Sequence, residues 1–149
     1  MRKTIANIGL IILAWQVISH AADAAPELSG VINVSDKPAL DAAKGQTVTV
    51  EGRVVLAEWS RSGKVMTIEF EDSPHFMAAA FEKSRAKLDE SFSGDIAATL
   101  SGAVIKLSGK LDTYGGKSEK YADALQIVLR DTAQLTIVTP APATQPAGQ

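Results

Sequence analysis

Thr47-Val48-Thr49-Val50-Glu51-Gly52-Arg53-Val54-Val55-Leu56 is the stretch on which the fold turns. From Thr47 to Val54, valines alternate with polar residues. Successive side chains of a strand point to opposite faces, so a period of two predicts a strand with one face buried. Val54-Val55-Leu56 then breaks the alternation just after Gly52. A glycine beside a change of face predicts a bulge or a sharp bend.

Downstream, Trp59-Ser60-Arg61-Ser62-Gly63-Lys64 reads as a turn. Val65 to Glu71 is a second alternating strand, with Met66, Ile68 and Phe70 on one face and Thr67, Glu69 and Glu71 on the other. Phe76-Met77-Ala78-Ala79-Ala80-Phe81 admits two readings, because a run this short fits either a helix or a fully buried strand. Ser84 to Phe92 is expected to be helical, and Gly94 to Leu100 a further turn ended by Gly102. Val104, Ile105, Leu107 and Leu111 mark a strand leading to Tyr114. Gly115-Gly116 opens a polar loop to Asp123, Leu125 to Leu129 is the next strand, and Gln134 to Val138 extends or ends it. Upstream, residues 25–38 are punctuated by Pro26, Gly30 and Pro38, and Ala39 to Lys44 suits a short helical turn closed by Gly45. The expected organisation is a lead-in at 25–43, one domain at 44–138, and a disordered Pro/Ala-rich tail at 139–149.

The start of the chain has a different character. Arg2 and Lys3 precede an apolar run from Ile5 to Ile18, and small residues follow up to Pro26. Ala22-x-Ala24 suits a signal peptidase, whose subsites admit only small side chains. The run is shorter than the ~20 residues that cross a bilayer, so residues 1–24 read as a cleavable signal peptide and leave no stable membrane anchor. The expected location is outside the cytoplasm, periplasmic or secreted. Removing Arg2, Lys3 and Asp23 from 15 basic and 17 acidic side chains leaves 13 and 16, a mildly acidic balance. That sign is wrong for a protein that binds nucleic acid with its whole surface, though not for a local basic patch.

The chemistry of a catalyst is thinly represented. The 149 residues contain no cysteine, which excludes disulfides, thiolate zinc sites and thiol catalysis. His20 leaves with the leader, so His75 stands alone and reads as a surface or half-buried residue. Glu69, Glu71 and Asp72 lack calcium-loop spacing and read as a solvated strand face. No Gly-x-Ser-x-Gly or Gly-x-Gly-x-x-Gly sequence occurs, and Gly115-Gly116-Lys117 is accounted for by a hairpin turn. The expectation is a non-enzymatic protein with no cofactor and no metal.

A bent strand, a hairpin, a third strand, a helix and two final strands is the order of the OB-fold, a five-stranded, partly open barrel. The residues carry the same likeness: Gly45-x-Thr47-Val48-x-Val50-x-Gly52-x-Val54, Gly102-x-x-Ile105-x-Leu107-x-Gly109-Lys110-Leu111, Tyr114-x-Gly116-Lys117, and Gln126-Ile127-x-Leu129-x-Asp131-x-x-Gln134-Leu135. Over residues 44–138 these resemble exported bacterial OB domains, similar to the nucleic-acid-binding OB modules of tRNA synthetases and helicases. The resemblance implies a mainly β, five-stranded OB-fold barrel with a helix between strands 3 and 4, and it makes Phe76–Phe81 the third strand. One departure stands out: Ser118 to Ala124 lengthens the link between the last two strands.

In OB-folds the loops after strands one and four flank the usual ligand groove. The first holds Trp59, Arg61 and Lys64, and the second region holds Lys110, Tyr114, Lys117, Lys120 and Tyr121. The two are expected to meet at one end of the barrel. Bases stack on aromatic rings while lysine and arginine neutralise phosphate, so single-stranded nucleic acid or another polyanion is the first expected partner. The alternative is a periplasmic protein-interaction or envelope-stress module that binds a protein or small ligand, favoured by the acidic overall balance. Trp59 itself has two readings, a plug in the barrel's end or a ligand contact.

Overall fold

The computed structural model describes residues 30–143, so the expected leader and the end of the tail lie outside the described residues. Its centre is β2, Thr47–Trp59, which serves two sheets because it bends. Its first half pairs antiparallel with β5 (Val104–Thr113), from Thr47 opposite Lys110 to Arg53 opposite Val104. Its second half pairs antiparallel with β3 (Val65–Phe70), from Val54 opposite Phe70 to Trp59 opposite Met66. The register slips between Val54 and Leu56, leaving Val55 52% exposed as the bulged residue. The expected bend is therefore real, but Gly52 is not itself the bulge. A Cβ at Gly52 would lie 2.3 Å from Val34 Cγ2 and 3.0 Å from Phe70 Cδ1, so the glycine lets those side chains pack across the corner.

From β3 the chain turns into β4, Phe76–Phe81, which is a strand as the resemblance implied. β4 runs parallel to β6 (Leu125–Leu129), and β6 runs antiparallel to β5. With β2 pairing β5, the order β2-β3-β4-β6-β5 closes on itself. This is a closed five-stranded barrel with OB-fold topology. A parallel pair needs a crossover connection, and here the helical segment and β5 lie between β4 and β6.

Where one helix is expected, the structure has two: α2 at Glu82–Ser91 and α3 at Ile96–Leu100. Ser93 and Gly94, both at positive φ, end the first, and the Asp95 side chain caps the second by accepting from Ala98 N at 3.1 Å. Leu88, Ile96 and Leu100 from these helices are fully buried in the core.

The segments on either side of the barrel are ordered parts of the fold. β1 (Val31–Asn33) pairs parallel with β2, and α1 (Lys37–Ala42) follows it. Val34, Leu40 and Ala43 belong to the buried core, so the latter part of the expected lead-in is packed against the barrel. Residues 134–138 do not extend β6. A 3-10 turn at Thr132–Gln134 redirects the chain, and β7 (Leu135–Thr139) pairs with β5 instead. Gln134 locks this turn: its Oε1 accepts from Arg130 N and Asp131 N, and its Nε2 donates to the carbonyls of Ser108 and Val128. Among the described residues, no helix is long and apolar enough to cross a membrane.

Candidate functional site

β3, β4 and β6 send alternate side chains into the barrel: Met66, Ile68 and Phe70, then Phe76, Ala78 and Ala80, then Leu125, Ile127 and Leu129. The residues between them point to the other side of the sheet, where Met77 and Ala79 are buried and Val65, Thr67, Glu69, Phe81, Gln126 and Val128 are partly or fully exposed. Register aligns these in rows: Val65 beside Phe81, Thr67 beside Ala79 and Val128, and Glu69 beside Met77 and Gln126. Two clusters of functional groups occupy the two ends of this outer face.

At the first end Phe81 is 45% exposed, which is unusual for a phenylalanine ring. It lines a cleft of about 540 Å3 with Lys64, Glu82, Lys83, Ser84 and Arg130. Glu82 N donates to Lys64 O at 2.9 Å, which ties the start of α2 to the start of β3. The structure has seven ion pairs among its described residues, and Lys64, Lys83 and Arg130 take part in none of them. Three cations around an exposed ring form a surface suited to a ligand that is both anionic and planar.

The second end is closed by the β5–β6 connection, Tyr114 to Ala124, which folds over as a strap. Tyr114 N donates to Ala124 O at 2.8 Å and closes the base of the strap. Tyr114 and Tyr121 stack edge to face at 5.4 Å. Gly116 allows this stack, since a Cβ there would fall 2.1 Å from Tyr114 Oη. Lys120 Nζ and Tyr121 Oη both donate to Glu69 Oε1, on the outer face of β3. The Lys120 and Tyr121 hydrogen bonds hold the Glu69 carboxyl below its ordinary range, against a smaller opposing effect of burial. The same contact with Glu69 raises Lys120, and burial, then the Glu69 hydrogen bond, raises Tyr121. A cleft of about 290 Å3 lies here between the strap, β3 and the β3–β4 turn.

The expected site residues therefore divide. Trp59, Arg61 and Lys64 sit at the Val65–Phe81 end of the ladder, while Tyr114, Lys117, Lys120 and Tyr121 sit at the Leu125 end. The expectation that the two loops meet at one end of the barrel is corrected: β6 runs parallel to β4, so the β2–β3 and β5–β6 connections leave from opposite ends. They bracket the outer face rather than share a rim. Lys110 stands apart from both, opposite Thr47 and paired with Asp112 at 3.1 Å. Trp59 is partly buried against the core, and Arg85 from α2 lies 4.7 Å above its ring. Arg61 is exposed in the turn, and Lys117 is exposed in the strap.

Sequence reading missed Phe81, Lys83 and Arg130 as site residues. The signal was present: once Phe76, Ala78 and Ala80 point inward, period two sends Phe81 out. Glu69 was also misplaced, since it is the anchor of the strap rather than part of a solvated strand face. His75 is half-buried, as one of its readings held, with Nε2 buried and unpartnered.

No family model matches this chain, and no curated protein matches it. Solved structures do resemble it. A protein assigned as an aspartyl-tRNA synthetase from Leishmania major Friedlin superposes with a TM-score of 0.54 at 13% identity, covering 83% of this chain and 24% of its own. An aspartyl-tRNA synthetase from Entamoeba histolytica gives 0.48 at 14% identity, over 72% of this chain and 21% of its own. An OBody bound to hen egg-white lysozyme gives 0.46 at 15% identity, over 67% and 88%. The chain thus spans about a quarter of the length of the synthetase structures it matches. At such identities the likeness is one of fold.

Proposed function

We propose that this chain is an exported, non-enzymatic OB-fold module that holds an extended polyanion, single-stranded nucleic acid first among them, across the outer face of β3, β4 and β6. The observation that carries the reading is Phe81, exposed in a cleft whose rim holds the unpaired cations Lys64, Lys83 and Arg130. A base stacked on such a ring contributes ~1–3 kcal/mol, and each phosphate neutralised on a single strand contributes a slope of about −0.7 in log K against log salt. The formal net charge of −2 gives no attractive field at long range, so binding depends on this local patch. The fold-level likeness to a synthetase domain is compatible with the reading, but function is argued from the site. Export rests on the charged start, apolar run and small residues of 1–24.

The test is fluorescence anisotropy of a dye-labelled 20-nucleotide single strand titrated with the chain at low salt. Saturable binding is expected, weakened about fivefold or more by Phe81→Ala, the lower bound of one lost stacking contact. The oligonucleotide should remain uncleaved in magnesium or calcium. No rise in anisotropy at high micromolar protein would remove the proposal.

A protein partner is the second reading, and one feature favours it. Among the described residues β7 ends the sheet with no strand beyond it, and Leu135–Thr139 carries no charged side chain. Uncharged free edges invite strand addition. Stoichiometric capture of one protein, abolished by Val138→Lys on that edge, would decide for it.

A further inference from the structure

Lys120 Nζ and Tyr121 Oη converge on a single acceptor, Glu69 Oε1. An ammonium and a phenol aimed at one carboxylate oxygen form a geometry that a phosphate oxygen can accept equally well. Glu69 faces outward in the row it shares with Met77 and Gln126, four residues along β3 from the row of Val65 and Phe81. At ~3.3 Å per residue the two rows are ~13 Å apart, within reach of one extended strand of ligand. On the polyanion reading, an acid at the second end of this face needs an explanation. The β3–β4 ladder does not supply one, because its pairing is made by main-chain atoms.

We propose that Lys120 and Tyr121 form a second anion subsite, which Glu69 fills as an internal stand-in until an anionic ligand displaces it. This rests on the polyanion reading above and extends it. In the free chain the carboxylate satisfies both donors and pins the strap across the second end of the face. A ligand that reaches only the Phe81 cleft leaves this contact intact. A longer one exchanges carboxylate for phosphate at Lys120 and Tyr121, and the freed Glu69 turns to solvent. Glu69 therefore sets a minimum ligand length and holds the affinity of the wild-type chain down.

The experiment compares wild type, Glu69→Gln and Glu69→Gln with Lys120→Ala. Two probes are used: the labelled 20-nucleotide strand, and inorganic phosphate followed by amide exchange over residues 118–122. Glu69→Gln should bind the strand about five- to tenfold more tightly, the worth of one freed charge-assisted hydrogen bond. Adding Lys120→Ala should remove that gain. Phosphate should slow exchange in Glu69→Gln at concentrations that leave wild type unchanged. An unchanged or weaker affinity overturns the proposal, as does a gain that survives loss of Lys120, which is then simple relief of repulsion. If phosphate protects the strap of Glu69→Gln while no variant binds the strand, the polyanion reading fails and the subsite stands. If wild type binds the strand but Glu69→Gln neither gains affinity nor responds to phosphate, the subsite fails and the polyanion reading stands.

Discussion

Gly52 is the residue on which the barrel's corner depends. The space its side chain would fill is taken by Val34 and Phe70, one from outside the barrel and one from β3. Gly52→Ala should therefore cost ~1–3 kcal/mol by overpacking, read as a lower denaturant midpoint with unchanged slope. A variant as stable as wild type would show that the corner can relax. The glycine was legible in the sequence as a corner, but the reason for it was not, because Val34 comes from a segment that alternation does not mark. Glu69 illustrates the same limit, since its outward direction follows from period two while its partners stand 51 and 52 residues away. Its depressed acidity gives a sign to the pH response. A carboxyl with a lowered folded-state pKa lends stability above its ordinary value of 4.5, and that stability is lost as pH falls through the lowered value. Lys120 and Tyr121 are raised, so their share is present below their ordinary values of 10.5 and 10.0 and is lost as pH rises beyond them. Protection factors of the strap amides should fall at both extremes, and Glu69→Gln should abolish the acid limb. A strap equally protected down to pH 3 in a folded barrel would contradict the contact.

At the scale of elements, strands with one buried face were readable, as were the helices α1 and α2 to within about two residues, and the remaining elements were not. β2, β3 and β6 show their pairing face by alternation, and burial follows it. β4 does not, because Phe76 to Ala80 is buried on both faces, and only the family likeness distinguished strand from helix. α3 is five residues long, too short to show a period. β1 was hidden in a segment that Gly30 and Pro38 punctuate, whereas α1 was legible as a short helical turn and begins two residues earlier than expected, with Pro38 in its first turn. The strap was legible as a long polar loop, but its folded form depends on an aromatic pair that spacing does not predict. Gly116→Ala tests that form, since a Cβ would displace the Tyr114 ring and with it the stack on Tyr121. Faster amide exchange confined to 114–124, with little loss of global stability, is the expected result. Global unfolding would instead make the strap part of the core.

On the scale of the whole molecule, the described residues include six lysines and arginines outside the ion pairs, Lys44, Arg61 and Lys117 besides the three around Phe81, and only arrangement distinguishes a site. Seven cations are spent on carboxylates, whereas Lys64, Lys83 and Arg130 stand unpaired around Phe81. The barrel makes this arrangement by bringing the starts of β3 and α2 and the end of β6 to one rim. The two loops singled out in the sequence bracket the resulting face from opposite ends, so half of the candidate site was legible and its centre was not. Amide chemical-shift mapping of the labelled chain with a single-stranded oligonucleotide tests the central claim most directly. Shifts should concentrate on residues 64–67, 79–83 and 128–130, leaving the outer surface of β1, β7 and the first half of β2 unmoved. Shifts confined to that other surface, with Phe81 and its neighbours silent, would contradict it.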